Sequence, residues 1–595
     1  MNKPVAVQPP VWDLSDLYAS REDPHVAADF DAAAAAAASI GKLEGRLAEA
    51  RADPATLGAR IDEAIDLYQT VTDRLGAIAA YAHLASSVER TDPAWAKFQA
   101  DVQARIAAIS ADTLWLTLEL NALEDAEIAA ALKAHPAAAR WTPWLRRVRL
   151  GRPHELSAEA ERMIVERSPA TAQWARLYDE TLARMQITAG RETLTLNEAL
   201  TRLSDPDAGK RKRAAEGLSK ALEDQTPVLA LCLNTVALEK QVEDRWRRFA
   251  DPATSRHLGN EVDAESVEAM VAAVGEAYPR LSHRYYRLKA KALGKAKLDH
   301  WDRNAPIEAA PPRAYDWAEA RSVVLDAFAD LDPKVADRVS TFFREPWIDA
   351  RPRPGKSTGA YCHPVTADRH PYVFLNFMGE RRDVLTLAHE LGHAAHQTLA
   401  QPLGTLNADT PLTLAETASI FAEGLVFDRL LDEASPKAQR GLLAGRIEDG
   451  LNTVVRQVAF HRFETRFHAE RLGGEVDAER LGQLWLEEMA ASLGPAIILN
   501  PGYEAFWAYI SHFVHTPFYV YAYAFGDLLV SALMERRRAD PQSFAPLYEQ
   551  LLAGGGTRTY VEALEPFGLN PRDPAFWRTG LNRLEGLIDR FEALS

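Results

Sequence analysis

The sequence predicts a mainly helical fold. Residues from about Pro24 to Lys133 are rich in Ala, Leu, Glu and Arg, which are the strongest helix formers. The chain from Arg381 onward also has the composition of helices almost throughout. The best strand candidate is the short, aromatic and β-branched segment Tyr372 to Phe377. We therefore expect helices to dominate, with a strand from Tyr372 to Phe377.

Prolines and glycines divide the helical part into runs. We expect the first run to break near Pro54 and again near Pro93. A loop-like stretch around Pro153 separates it from a second run that continues to about Asp244, and another run starts near Ala264. A chain of 595 residues exceeds what one hydrophobic core usually organises, so these runs should pack into two or more lobes.

The net charge and the cysteine content limit the classes of protein. The formal net charge is −16, and an acidic surface disfavours nucleic acid as a partner. Cys232 and Cys362 lie far apart, so they support neither a disulfide framework nor a cysteine-rich metal site. Met1 to Trp12 lacks the apolar run of a secretory signal, and no stretch of about twenty uncharged apolar residues could span a bilayer. These features predict a cytoplasmic protein without nucleic-acid or membrane partners.

The segment His389-Glu390-Leu391-Gly392-His393 has the spacing of a zinc site. Residues four apart on a helix lie one turn above each other, so the imidazoles of His389 and His393 can reach the same cation. Glu390 follows the first histidine, where its carboxylate can take a proton from a water on the metal. The alternative is an amphipathic helix whose histidines are merely packed or solvated. An uninterrupted helix from Arg381 to Leu399, with Asp383 in its first turn, favours the metal site.

A third zinc ligand is expected from a neighbouring helix. A third histidine six residues after His393 is excluded, because position 399 is Leu399. Downstream, Pro411 begins a plausible helix that carries Glu416 and Glu423 on one face. Either glutamate could coordinate the metal, and the other could hold the second nitrogen of a histidine. His396 is also near that face, in a supporting or structural role.

These residues resemble a known family, the oligoendopeptidase F and thimet oligopeptidase group of zinc peptidases, peptidase family M3. The segment from His389 to His396 followed by Ala415 to Ser419 is similar to its signature, in which the glutamate of the second motif is the third zinc ligand. That favours Glu416 over Glu423. Trp12 to Tyr18 and Pro517 to Ala524 are similar to stretches near the two ends of oligoendopeptidase F chains. The resemblance spans nearly the full length.

The resemblance implies a two-lobed, all-helical fold with one zinc ion at the floor of a deep channel that admits short peptides. Residues 1–190 would form an amino-terminal helical region in the channel wall, and residues 191–595 the catalytic region. It also implies that a short strand beside the metal helix pairs with the substrate backbone, a role that fits Tyr372 to Phe377. Such main-chain pairing makes few demands on substrate side chains.

The aromatic cluster near the carboxyl terminus is a candidate for stabilising the oxyanion. A phenol or imidazole that donates to this oxygen gains strength as negative charge develops during amide hydrolysis. The resemblance implies that tyrosines and a histidine of this region act in that way, with Tyr523 first and His512 and Tyr519 as helpers. If the segment is helical, Tyr519 and Tyr523 share a face and Tyr521 points elsewhere. An aromatic stripe in a core is the alternative for each tyrosine.

The expected activity is hydrolysis of internal amide bonds of short peptides by water that the metal activates, with Glu390 as the base. Two alternatives stay open. One is a helical metallocarboxypeptidase, which would trim single residues from peptide carboxyl termini. The other is a peptide-binding scaffold that keeps a zinc or an empty site without catalysis. The chain is expected to be a monomer or a small homo-oligomer.

Overall fold

Helices account for most of the protein in the computed structural model, which describes residues 8–307 and 313–594 and all their side chains except those of Ala158 and Leu412. Residues 1–7, part of the segment Met1 to Trp12 considered above, lie outside the described residues. The prediction of a mainly helical fold is confirmed.

The helices follow one another along the whole described chain. The first half contains α1 (Pro24–Gly41), α2 (Arg46–Glu49), α3 (Pro54–Val88), α4 (Pro93–Ala111), α5 (Leu114–Ala122), α6 (Asp125–Ala134), α7 (Thr142–Val148), α8 (Ala158–Arg184), α9 (Leu196–Arg202), α10 (Ala208–Arg247), α11 (Thr254–Gly259), α12 (Ala264–Ala277) and α13 (Ser282–Ala292). The second half contains α14 (Trp317–Leu331), α15 (Pro333–Arg344), α16 (Arg381–Ala400), α17 (Thr405–Ala408), α18 (Leu412–Asp432), α19 (Pro436–Gly450), α20 (Gln457–Arg471), α21 (Ala478–Leu493), α22 (His512–His515), α23 (Tyr521–Ala539), α24 (Pro541–Ala553), α25 (Tyr560–Leu564) and α26 (Pro574–Ala593). No single one of these described helices is both long and apolar enough to cross a membrane, although the bent pair Pro93–Ala122 and Asp125–Ala134 passes together on length and composition.

The strands are short and form three small sheets. They are β1 (Ile187–Ala189), β2 (Glu192–Leu194), β3 (Leu298–Asp299), β4 (Ile348–Asp349), β5 (Tyr361–His363), β6 (Tyr372–Phe374) and β7 (Ile497–Ile498). β1 and β2 form an antiparallel hairpin, β3 pairs with β7 in parallel, and β4, β6 and β5 form a three-stranded sheet in that order. The hairpin interrupts the second helical run. The prediction of a helical run was wrong at this point, because Gly190, with a φ of 73°, turns the chain back.

The chain forms two compact units, each assembled from three separate segments. Unit 1 comprises Met1–Pro153, Pro312–Leu430 and Arg536–Gly568. Unit 2 comprises His154–Pro311, Leu431–Glu535 and Leu569–Ser595. Packing defines these units irrespective of chain order, so the division into consecutive regions 1–190 and 191–595 stays a prediction.

Helix starts in unit 1 follow directly from the sequence. α1, α3 and α4 each begin with a proline. The N–H of a first helical residue has no partner within the helix, so a proline, which has no N–H, loses no hydrogen bond there. An aspartate precedes each proline, and its carboxylate accepts the N–H of the residue after the proline. The predicted breaks near Pro54 and Pro93 are therefore confirmed as helix starts.

The three-stranded sheet of unit 1 corrects the strand prediction in two ways. β6 is shorter than the predicted Tyr372 to Phe377, although the N–H of Leu375 still donates to the carbonyl of Asp349 in β4 and the N–H of Phe377 donates to the carbonyl of Ala350 just after it. β6 is also the central strand, parallel to β4 on one side and antiparallel to β5 on the other. Its backbone groups are therefore occupied on both sides. β4 and β5 are the two edge strands, and β5 is the one that contacts α16.

The core of each unit forms around one long helix. In unit 1, α3 packs against α1, α4 and α6, and its buried side chains share a core with Phe30 of α1 and with Tyr372 and Phe374 of β6. In unit 2, α10 packs against α8, α9 and the 3₁₀ helix Tyr503–Tyr509. These cores bury the apolar faces that stabilise both units.

Candidate metal centre

Helix α16 carries the two histidines and packs on the small sheet of unit 1. Glu380 caps its amino terminus by accepting the N–H of Asp383, while the Asp383 carboxylate accepts the N–H of Glu380 in return. The predicted helix from Arg381 to Leu399 is confirmed, and it ends at Ala400. α16 contacts both β5 and β6, so the sheet holds the metal helix from the side.

His389 and His393 present their rings on one face of α16. Their ring centroids lie 5.1 Å apart, with the planes nearly perpendicular. Both side chains keep some solvent contact, at 27% and 17% exposure, so an ion can reach them. Burial lowers the pKa of His393, which favours the neutral imidazole that a metal requires.

The third donor comes from α18. Oε2 of Glu416 lies 3.5 Å from Nε2 of His389 and 3.6 Å from Nε2 of His393. Three atoms bound to one tetrahedral zinc at about 2.1 Å lie roughly 3.4 Å apart, so the observed spacing fits such an ion. The donor set of two imidazoles and one carboxylate also suits zinc chemically.

Glu423 lies on the other side of His389. Its Oε2 is 3.5 Å from Nδ1 of His389, whereas Glu416 faces Nε2. Burial lowers the pKa of His389, but the hydrogen bond to Glu423 and the charges of Glu390 and Glu416 outweigh it and raise the pKa. Of the two glutamates left open by spacing alone, Glu416 joins the histidine pair and Glu423 orients one of its rings.

Gly392 permits the close approach of α16 and α18. A Cβ at this position would lie 2.5 Å from the carbonyl oxygen of Ala418 and 2.7 Å from Cα of Ser419. Backbone atoms of a packed helix cannot move aside cheaply, so only glycine fits here. This contact sets the distance from which Glu416 reaches the histidines.

Glu390 is buried beside the metal ligands, with only 5% of its surface exposed. Burial, the largest cause, and the negative charge of Glu416 together raise its pKa to about 7, although the charge of His389 and the backbone N–H of Cys362 lower it. A carboxyl group with this pKa can both accept and release a proton near neutral pH. The hydrogen bond from Cys362 also places the edge strand β5 next to this carboxylate.

Two supporting contacts were missed by the sequence reasoning. The Ser419 hydroxyl donates to Oε2 of Glu416 at 2.8 Å, and Ser419 is fully buried. Ser419 follows Glu416 by three residues and so lies on the same helix face, and this spacing could have predicted the contact. The Cys362 thiol donates to Oε1 of Gln397 at 3.3 Å, and nothing in the sequence spacing indicates that this pair meets.

His396 is buried on α16 and contacts α18. Burial and the positive charge of His393 lower its pKa to about 4, against a hydrogen bond to the carbonyl of Ala415. A neutral ring that donates to a backbone carbonyl ties the two helices together, in keeping with the structural role expected for His396.

The predicted aromatic residues come together in unit 2. Nε2 of His512 lies 3.2 Å from the hydroxyl of Tyr523, and the rings of Tyr519 and Tyr523 lie 5.4 Å apart. α23 begins only at Tyr521, so the condition for a shared helix face is not met at Tyr519. Tyr521 points elsewhere as expected, since its hydroxyl bonds to His257 and Asn260.

The turn before α23 explains the position of Tyr519. Phe518 has a φ of 61°, in the left-handed region that a bulky residue rarely adopts. Its N–H donates to Oε1 of the buried Glu464 at 2.8 Å. Burial raises the pKa of Glu464 to about 8, so this side chain is mostly neutral at pH 7. The contact holds the turn that presents Tyr519.

Comparison of the sequence with known proteins gives two family matches and several relatives. The sequence profile of Peptidase family M3 matches residues 329–583, and that of Oligopeptidase F matches residues 119–187. The chain is 22% identical to oligopeptidase PepF of Bacillus subtilis over 98% of its length and 87% of the relative's. It is 26% identical to group B oligopeptidase PepB of Streptococcus agalactiae over 78% of both chains.

Solved structures show the same fold. Oligoendopeptidase-F from Enterococcus faecium superposes with a TM-score of 0.67 at 21% identity, covering 95% of this chain and 100% of that one. PZ peptidase A superposes with a TM-score of 0.68 at 17% identity, covering 98% and 100%. The fold and the family matches define a helical metallopeptidase, and His389, His393 and Glu416 form a cluster with the geometry to hold a metal ion. The chain belongs to peptidase family M3.

Proposed function

We propose that the protein is a zinc-dependent endopeptidase that hydrolyses internal amide bonds of short peptides. The observation that carries this proposal is the convergence of His389, His393 and Glu416 on one point, with the buried carboxylate of Glu390 beside them. One zinc ion per chain fits this donor set. The names of the relatives, oligopeptidase and oligoendopeptidase, support peptides as substrates.

When bound, a zinc ion supplies a Lewis acid that makes water a stronger acid and polarises the scissile carbonyl. Glu390 takes the proton from the attacking water and later gives it to the leaving amide nitrogen. Burial raises the pKa of Glu390, which makes the carboxylate a better proton acceptor for the first transfer. Glu423 keeps the ring of His389 oriented toward the metal.

Tyr523 is proposed to donate to the oxyanion, with His512 and Tyr519 as helpers. The hydrogen bond between His512 and Tyr523 fixes the hydroxyl, and 39% of Tyr523 is exposed, so the group is available to a ligand. Such a donor acts mainly in the transition state. Tyr523→Phe should therefore lower kcat strongly and leave KM nearly unchanged; an unchanged kcat would exclude this role.

Strand β5 is proposed to hold the substrate backbone. It is the edge strand that lies next to α16, and the Cys362 N–H already contacts the Glu390 carboxylate. A peptide that adds to this edge brings its main chain to the base without any demand on its side chains. This assignment replaces the strand Tyr372 to Phe377, which has neighbours on both sides.

A carboxypeptidase and a non-catalytic scaffold are the competing functions. A set of quenched fluorescent peptides of increasing length, each with a free or an amidated carboxyl terminus, separates all three. We expect internal cleavage of both forms up to a length limit, with one zinc bound per chain. Loss of cleavage on amidation would indicate a carboxypeptidase, and zinc binding without cleavage would indicate a scaffold. The cytoplasmic location and the oligomeric state stay predictions of the sequence.

A further inference from the structure

The turn before α23 in unit 2 carries one of the proposed oxyanion donors and leads directly into another. Tyr519 lies in this turn, and Tyr523 is the third residue of α23. The ring centroid of Tyr519 lies 5.4 Å from that of Tyr523 and 6.2 Å from that of His512. The conformation of the turn therefore affects the geometry of all three side chains.

The backbone of Phe518 in this turn is strained. Its φ of 61° lies in the left-handed region, which is unfavourable for a bulky side chain. A residue keeps such a conformation only where its surroundings hold it there, and such residues cluster at functional sites. Its side chain is buried, with 1% exposed. The contacts around Phe518 therefore identify the residues that control the turn.

Helix α20 holds both the backbone and the ring of Phe518. Oε1 of Glu464 accepts the N–H of Phe518 at 2.8 Å, which satisfies a donor that would be costly to bury unpaired. The ring centroid of Phe518 lies 6.0 Å from that of His461 and 4.7 Å from that of His468. These histidines stand three residues before and four residues after Glu464, so all three side chains share one face of α20.

Helix α11 holds the residue before Phe518. Nε of Arg256 donates to the carbonyl of Pro517 at 3.2 Å. The guanidinium carbon of Arg256 also lies 5.5 Å from the ring centroid of Tyr519, within the range of a cation–π contact. Arg256 thus contacts the turn at the carbonyl of Pro517 and at the side chain of Tyr519.

The same short segment also anchors the chain beyond the turn. Nδ1 of His257 and Nδ2 of Asn260 each lie 2.9 Å from the hydroxyl of Tyr521, which is fully buried. Pro517 and Tyr521 stand two residues before and two residues after Tyr519. The chain is therefore held on both sides of Tyr519 by α11 and the residue that follows it, Asn260.

We propose that Arg256 is a positioning residue for the peptidase reaction, because its hydrogen bond to Pro517, together with that of Glu464 to Phe518, holds Tyr519 and Tyr523 in place. This inference rests on the proposed role of these tyrosines as oxyanion donors. Arg256 acts through the turn and not on the reacting atoms. A displacement of about 1 Å in such a group can cost about 100-fold in rate.

Crystal structures of two variants of the full chain test the positioning without any measurement of activity. In Arg256→Gln the side-chain amide nitrogen takes the place of Nε and can still donate to Pro517, whereas Arg256→Met has similar length and no donor. We expect the Gln variant to keep the parental turn. In the Met variant we expect Phe518 to leave its positive φ and Tyr519 to shift by about 1 Å or more. An unmoved turn in the Met variant would overturn the proposal.

Kinetics test the consequence for turnover. Arg256→Met should lower kcat about 10- to 100-fold with KM and zinc content nearly unchanged, because a misplaced oxyanion donor affects mainly the transition state. Arg256→Gln should lose at most about fivefold, the equivalent of the lost cation–π contact. Equal losses in the two variants would show that the charge and not the hydrogen bond matters, and would overturn the proposal.

Arg471→Met is the matched control for the loss of such a hydrogen bond. Nε of Arg471 donates to the carbonyl of Asn234 at 3.4 Å in the same unit, and this pair is not among the contacts that hold the turn. We expect its kcat to equal that of the parent. A loss as large as that of Arg256→Met would mean that any such contact in unit 2 has this effect, which would contradict a specific role for Arg256.

A double variant separates this inference from the proposed function. If Arg256 acts through the tyrosines, Arg256→Met combined with Tyr523→Phe should lose less kcat than the product of the two single losses. The full product would show independent action and overturn the inference. Parental kcat in Tyr523→Phe, with a shifted turn in Arg256→Met crystals, would instead support the hold on the turn and overturn the proposed oxyanion role.

Discussion

Nδ1 of His389 lies 3.5 Å from Oε2 of Glu423, on the side of the ring that faces away from Glu416. This contact fixes which ring nitrogen is left for a metal, because Nδ1–H is held by a carboxylate and Nε2 is then free to coordinate. It separates the roles of two glutamates that share a helix face.

Glu423→Gln should weaken zinc binding without abolishing it. The amide can still bond to Nδ1 of His389 but carries no charge, so zinc affinity should fall about 10- to 100-fold. Competition with a chelator of known affinity measures the change. Affinity equal to that of the parent would show that Glu423 does not orient His389.

Glu390→Gln should keep the metal and lose turnover. Glutamine has nearly the same shape but cannot take a proton, so kcat should fall about 10²- to 10⁴-fold. Zinc content and cleavage of a quenched peptide are measured on the same preparation. Cleavage at the parental rate would remove Glu390 from the role of base.

Gly392→Ala should disturb the metal centre by moving α18 away from α16. The added methyl group would overlap the backbone of Ala418 and Ser419, which pushes α18 away and costs about 1–3 kcal/mol of stability. Zinc affinity should fall as well, because Glu416 moves with α18. Gly445→Ala is the control, since a Cβ there meets nothing within 4 Å and the exposed helical site should gain about 0.5–1 kcal/mol. Denaturant unfolding and chelator competition measure both effects; equal stability and affinity in the two variants would contradict the tight helix contact.

Glu464→Gln should change how stability depends on pH. The buried carboxyl group has a pKa of about 8 in the folded protein, against an ordinary value of 4.5. Between these values the unfolded chain has released the proton and the folded chain retains it. The contribution of Glu464 to stability is therefore complete below pH 4.5 and is lost as the pH rises to about 8, by up to about 1.4 kcal/mol per pH unit.

Glutamine still accepts the N–H of Phe518 but does not titrate, so the variant should lose less stability than the parent between pH 5 and pH 8. Tm at four pH values shows the difference, with Glu479→Gln at an exposed glutamate as the control. Parallel curves for parent and Glu464→Gln would show that Glu464 is charged in the folded protein at neutral pH.

Local interactions made much of the fold and the centre predictable from sequence. The start of α16 follows from its capping residues, and the histidine spacing follows from one helical turn. Glu416 and Glu423 could not be separated by periodicity, because residues seven apart share a face; the family signature favoured Glu416, and the packing of α16 on α18 agrees with it.

Contacts between distant segments were beyond the sequence reasoning. Strand β6 was recognised by composition, but its central place depends on pairing with β4 and β5, which no local pattern encodes. The N–H of Cys362 and the carboxylate of Glu390 meet only through tertiary packing. Tyr519 would lie on a helix face only if its segment were helical. The positive φ of Phe518 turns the chain there, and α23 begins only at Tyr521.

Anomalous diffraction at the zinc edge, on parent and Glu416→Gln crystals, tests the central claim most directly. For the parent we predict one zinc peak at about 2.0–2.2 Å from Nε2 of His389, Nε2 of His393 and a carboxylate oxygen of Glu416. For the variant we predict a weak peak or none at this position. Zinc bound at full occupancy in the variant, or a parent peak away from these three residues, would contradict the account.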